Sequence, residues 1–222
     1  MDIAGIGRQI VVSIFPVLIA ITFHELSHGF VANKLGDPTA RLMGRLTINP
    51  LAHIDLIGTI VIPLMLLIFT NGQFVFGYAK PVPINPMNFK NPRRDMAISA
   101  AAGPIMNLIL AFLSFLILRI VITPLSLSYT DGINSLVLVP LALILKSSVL
   151  INIVLAVFNM IPIPPLDGGR VLVGFLPYKQ ALSLSKLEPF GFIIVLFLIA
   201  TGIANYFIVP IVNLFLKILF IF

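Results

Sequence analysis

The chain has 222 residues, of which 59% are hydrophobic and only 10% charged, with a mean hydropathy of +1.12. A soluble domain carries about a quarter charged residues, so these figures exclude an ordinary water-soluble fold. The net charge of +6 comes without interleaved aromatic and basic patches, which argues against nucleic acid as a partner and makes the charge topology information. Cysteine is absent, so there is no disulfide framework and any metal must take nitrogen and oxygen ligands.

Successive apolar runs of about 20 residues predict an all-α polytopic membrane protein with about five or six transmembrane helices and a short extended segment. The first span runs from about Gln9 to Asn33 and stops at Gly36-Asp37-Pro38. Arg8 precedes it, but no small-residue cleavage site follows, so it reads as a retained span and not as a signal peptide. A polar segment with Arg41 and Arg45 comes next. Residues 51–70 are long enough to cross, although Gly58 and Pro63 interrupt them. The stretch "NGQFVFGYAKPVPINPMNFKNPRRD" predicts an extended strand over 74–79 and then a turn-rich loop, because repeated prolines exclude helix. A third span is expected over about 95–122 with Asp95 as its N-cap, and a fourth over about 135–160, stopping at "NMIPIPPLDGGR". The last apolar run, about 190–222, is too long for one crossing, and Gly202, Asn205 and Pro210 predict two pieces.

Basic residues constrain the topology. Lys34, Arg41 and Arg45 precede 51–70, and Lys80, Lys90, Arg93 and Arg94 follow it, so a single crossing there would put two basic clusters on opposite sides. A crossing on 51–70 with an extended return over 71–80, or a re-entrant hairpin bent at Gly58 or Pro63, keeps both clusters in the cytoplasm. The loop 123–134 has no Lys or Arg and is expected outside, whereas 166–188 carries Arg170, Lys179 and Lys186.

Chemistry concentrates in "HELSH", residues 24–28. On a helix His24 and His28 stand one turn apart on the same face, the spacing at which two imidazoles share one ion. Glu25, adjacent to the first, lies beside such an ion, within reach of a water proton. Three ionisable groups in a membrane segment, each costing at least about 2.5 kcal/mol to insert, favour a metal site over buried core histidines. A hydrolytic zinc needs one more protein ligand. Asp37 and Asp131 fit turns, Asp95 a cap, and Asp55 a cap of its own segment. Asp167, between "IPIPPL" and "GGR", is the favoured third ligand.

"HELSH" together with "NMIPIPPLDGGR" resembles the site-2 protease family of intramembrane zinc metalloproteases, whose second motif N-x-x-P-x-x-x-L-D-G is matched by Asn159, Pro162, Leu166, Asp167 and Gly168. "AAGPIMN" (101–107), "GRLTINPLAHID" and "GYAKPVPINP" resemble further stretches of its compact prokaryotic branch, so the likeness covers about residues 20–176. The resemblance implies a three-helix catalytic core around one zinc ion below the cytoplasmic surface. It also implies His24, His28 and Asp167 as ligands, Glu25 as general base, and Asn159 as an amide touching substrate. No polar loop is long enough for the PDZ or CBS domain of larger members.

On this reading the protein is a single membrane-embedded metalloprotease domain over 1–222, with its core at about 9–176 and C-terminal helices at about 187–222. It sits in the plasma or inner membrane and cleaves transmembrane segments of membrane-protein substrates. The extended "FVFGYAK" could offer Phe76, Gly77 and Tyr78 to an unwound substrate by strand addition. His53 is expected to orient its loop, with a second metal or a contact to the site as alternatives. Arg119 can snorkel to an interface, and Lys146 needs a partner or a wet cavity. The rival readings are a zinc-binding membrane transporter and a relative without proteolytic activity. A transporter would spread acidic groups along several spans, which this chain does not do.

Overall fold

The computed structural model describes residues 3–69, 77–128, 132 and 134–221. Helix α1 covers Ile3–Leu35 and ends in the Gly36-Asp37-Pro38 turn, followed by the short α2, Thr39–Leu42. After a 3-10 turn at Pro50–His53, Asp55 caps a wide, π-type turn over Leu56–Val61, its carboxylate accepting from the Gly58 N–H at 2.7 Å. That turn runs into α3, Ile62–Phe69. Together they extend about 21 Å at 1.5 Å per residue, short of a hydrocarbon core of about 30 Å.

The chain then comes back to where it entered. Tyr78 N–H donates to Gly58 O at 3.0 Å, Thr59 Oγ1 to Tyr78 O at 2.8 Å, and Lys80 N–H to His53 O at 3.0 Å. Residues 53–59 and 78–80 therefore pair as the base of a hairpin, and the basic stretches before and after it start from the same place. The expected strand over 74–79 falls largely outside the described residues. Gly77–Lys80 is irregular backbone, and no strand occurs among the described residues.

Helix α4, Pro92–Leu116, begins earlier than expected because Pro92 suits a first helical position. Asp95 is not its N-cap. It sits inside the first turn and reaches back to accept the Asn91 N–H at 2.9 Å. A wide turn at Ile117–Ile122 and α5, Thr123–Ser128, prolong the helix into the stretch expected to be loop. A further wide turn, Asn134–Leu138, leads into α6, Val139–Asn159. Three helices follow: α7 (Asp167–Phe175), α8 (Tyr178–Ser185) and α9 (Glu188–Ala200). The break before α10, Ile203–Ile221, falls at Gly202 with φ +75°. Asn205 and Pro210 lie inside α10 and do not interrupt it.

Among the described residues, four helical stretches are long and apolar enough to cross a membrane: Val12–Leu35, Pro92–Leu125, Leu136–Asn159 and Ile203–Phe220. A fifth is possible if α8 and α9, bent by 67°, count as one. The protein is thus an all-α, multi-pass membrane protein, with four or five candidate crossings among the described residues where about five or six were expected. Helices α1, α4 and α6 pack on one another, and α7 lies against α4. Away from α7, Ala111, Phe115, Val149, Ile153 and Val157 join Val212 of α10 in an apolar core. Outward-facing Phe112, Leu113, Ile117 and Leu150 are exposed. Such surface would be an aggregation liability in water and is ordinary in lipid. Arg119 and Lys146 are exposed too, so Lys146 faces outward and not into a wet interior.

Candidate metal centre

Both histidines of α1 are buried, and they face α4 and the start of α7. His24 Nε2 and His28 Nε2 lie 3.0 Å apart, and Asp167 Oδ2 sits 3.1 Å from the first and 3.3 Å from the second. The structure therefore brings the favoured aspartate to the two imidazoles across more than 130 residues of sequence. Asp55, the other carboxylate weighed, is occupied as a cap.

Hydrogen bonding settles what these atoms carry. Asn107 Nδ2 donates to Ala20 O at 3.2 Å and to Asn152 Oδ1 at 2.8 Å, so Asn107 Oδ1 must face His24 Nδ1, 2.5 Å away. Asn152 is oriented in turn, because its Nδ2 donates to Ser148 O at 2.9 Å. His24 consequently holds its proton on Nδ1. His28 Nδ1 lies 2.8 Å from Ser99 O, a carbonyl that can only accept, so its proton is on Nδ1 as well. Both Nε2 atoms present lone pairs to each other and to Asp167 Oδ2, a buried oxygen with no hydrogen-bond partner. Three mutually repelling acceptors converge on one point, and a single proton cannot satisfy them all. A cation can.

Spacing and donor type identify the cation class. Four-coordinate zinc with bonds of about 2.0–2.1 Å sets neighbouring ligand atoms about 3.3 Å apart, close to the three separations found. No other group of three His, Cys, Asp or Glu side chains converges in this way among the described residues. Backbone shape contributes too. A Cβ on Gly103 of α4 would stand 2.4 Å from His28 Nε2 and 2.7 Å from His24 Cε1, so only glycine lets α4 pass so close to both rings.

Glu25 is half-buried beside the three ligands, and its Oε2 accepts the Val82 N–H at 2.8 Å. Asn159, at the end of α6, donates its amide to Leu155 O at 3.0 Å and makes no contact with the three converging atoms. Tyr78 is exposed, covers Gly58 and meets Phe192 edge-on at 6.5 Å, Gly77 is exposed, and Phe76 lies outside the described residues. His53 is buried, with Nε2 donating to Thr47 O at 3.0 Å and its carbonyl accepting from Lys80, the loop-orienting arrangement anticipated. Asp37, also buried, ties the end of α1 to the loop beyond the hairpin through Asn85 N–H and Asn88 Nδ2, both at 2.7 Å. Burial favours its neutral form, but these bonds and those from Thr39 outweigh that and hold its carboxyl below the usual carboxylate range. Sequence reasoning missed the orienting role of Asn107 and Asn152. The available signal was two asparagines at helical depths where an unpaired amide is costly.

The model of Peptidase family M50 matches residues 12–202. Among curated proteins, the chain is 38% identical over 202 residues to the Bacillus subtilis (strain 168) protein named "Putative zinc metalloprotease YwhC", covering 90% of this chain and 85% of that one. It is 33% identical over 165 residues to a Methanocaldococcus jannaschii protein of the same description, MJ0611 (73% and 69% covered). Over 188 residues it is 29% identical to the similarly described Rip2 of Mycolicibacterium smegmatis (85% and 66%). No solved structure matches significantly. The chain belongs to peptidase family M50 and is a zinc metalloprotease, with a cluster of His24, His28 and Asp167 that could hold its metal.

Proposed function

We propose that this metalloprotease is an intramembrane endopeptidase, cutting peptide bonds within or near transmembrane segments of its substrates. One observation carries the reading. The two imidazoles and the Asp167 carboxylate converge inside a membrane-spanning stretch, about 9–15 Å below its Lys34 end at 1.5 Å per residue. A protease of soluble chains has no need of a centre sunk between apolar helices. The basic residues Lys34, Arg45, Arg93 and Arg170 cluster towards that end, which argues for a cytoplasmic-side site in a plasma or inner membrane. The whole chain acts as one membrane-embedded domain.

His24, His28 and Asp167 would hold the zinc, which when bound would lower the pKa of a coordinated water to about 7 and polarise a carbonyl. Glu25 takes the proton of the attacking water and passes it to the departing amine nitrogen. Burial of the ligands between α1, α4 and α7 strengthens each charge interaction at the scissile bond. Asn159, whose amide donates to Leu155 O at 3.0 Å, is released from that bond to donate to the developing oxyanion. Substrate enters as an unwound segment beside Gly77 and Tyr78. The even-numbered amides of this segment are bonded inward, and Pro81 and Pro83 have no N–H, so Gly77 and Ala79 supply the outward donors for strand addition.

Glu25→Gln in cells co-expressing a single-span membrane substrate tests the proposal. Cleavage should disappear while the purified variant keeps one zinc per chain. Undiminished cleavage, or cleavage confined to soluble domains of the substrate, would refute it.

A further inference from the structure

The bond between Glu25 Oε2 and Val82 N–H links α1 to a residue 57 positions away. We infer that the Val82 main-chain amide is the positioning group of the general base, and that the Pro81-Val82-Pro83 strap exists to deliver it. The inference rests on the reading of Glu25 given above.

Three features point to a built contact. First, Pro81 and Pro83 lack an N–H and restrict φ to about −65°, so Val82 carries the tripeptide's one donor on stiff, extended backbone. Second, the strap is fastened on both sides of that donor. Tyr78 and Lys80 donate to Gly58 O and His53 O, each at 3.0 Å, and Arg45 Nη2 donates to Lys80 O at 3.0 Å. Beyond Val82, Asn85 N–H reaches Asp37 Oδ2 at 2.7 Å. The amides of 78, 80 and 82 therefore face one side at the two-residue period of extended chain. Third, α1 is shaped to receive the strap. A Cβ on Gly29, next to His28, would stand 2.7 Å from Val82 Cγ1 and 2.7 Å from Leu46 Cδ2. Without a side chain there, Val82 packs against the helix at only 7% exposure.

Chemically the contact does one thing. It anchors one carboxylate oxygen and restricts the side chain's rotational freedom, leaving Oε1 free to take the water proton. A carboxylate on a long, unanchored side chain would sample orientations unproductive for proton transfer.

The test replaces Val82 by its α-hydroxy acid in the full-length protein, converting the amide to an ester and deleting the donor while keeping the shape. The chain contains only two glutamates, Glu25 and Glu188, so carbon-13-glutamate labelling with infrared spectroscopy resolves the Glu25 carboxylate, with Glu25→Gln identifying its band. We expect the ester to shift that band and to lower kcat on a purified single-span membrane substrate in detergent by about 10- to 100-fold, the worth of one hydrogen bond to a charged group. KM and zinc content should stay within about twofold. Val82→Ala, which keeps the N–H, should recover most of kcat, and Gly29→Ala should behave like the ester. An unmoved band, or a kcat unchanged in the ester, overturns the inference. Full activity of Glu25→Gln would instead remove the general-base reading, while the band position still reports whether the contact exists.

Discussion

Helices α4 and α6 take part in two different kinds of contact, one polar, shared with α1, and one apolar, shared with α10. Around the metal centre the contacts are polar: Asn107 and Asn152 are fully buried and link His24 to Ser148 across all three helices. On the neighbouring face of α6, and one to two turns further along α4, Val149, Ile153, Ala111 and Phe115 pack against Val212 and Phe215 of α10 through apolar side chains. In lipid an apolar contact gains only packing, since the tails are as apolar as leucine. An unmade hydrogen bond has no water to replace it. The polar half should therefore be sensitive in function and specificity, and the apolar half in stability alone.

The sharpest break in that contrast is Asp167→Ala. It should lose zinc and all proteolysis, measured by metal analysis of purified protein, while the helical circular dichroism persists. Retained zinc would mean that the two imidazoles do not depend on Asp167. Next in size, Asn107→Leu removes the group that orients His24 and strands Asn152 Oδ1. Zinc affinity in chelator competition should fall about 10- to 100-fold, the usual effect of losing a partner behind a ligand. Ile153→Ala, in the apolar half and fully buried, should lower unfolding free energy by about 2 kcal/mol yet leave zinc stoichiometry and kcat alone. A drop in zinc affinity there would show that the two halves are coupled.

The smallest effect concerns Asp37, which joins α1 to the loop outside the bundle. Its carboxyl titrates lower folded than unfolded, so its stabilising contribution is complete above the ordinary carboxylate range. That contribution fades as pH falls through the folded value. Asp37→Ala should therefore cost about 1 kcal/mol near neutrality, with the gap from the parent closing below about pH 4. Thermal melts across that range check the sign.

Much of this was legible in order along the chain. Uninterrupted apolar runs determine helices because backbone groups in lipid can satisfy one another only within a helix or a closed barrel. The four-residue spacing of His24 and His28 places two rings on one face whatever surrounds them. The break after Asn159 follows from three prolines between residues 162 and 165, and the break near 202 from a glycine at positive φ. Where local rules misled, a neighbour had intervened: Asp95 became a reach-back contact because Pro92 already opened the helix, and Pro210 was absorbed by α10.

What the tertiary structure alone decided was which distant groups meet. Composition could nominate Asp167 but not place it 3.1 Å from His24, because that depends on how α7 docks against α4. The proton position on His24 was beyond sequence for the same reason. It follows from the direction of two amides on separate helices, and an amide's direction is set by its partners rather than by its place in the chain. The Val82 contact to Glu25 is the clearest case, since a main-chain N–H carries no signature in a sequence until folding aims it.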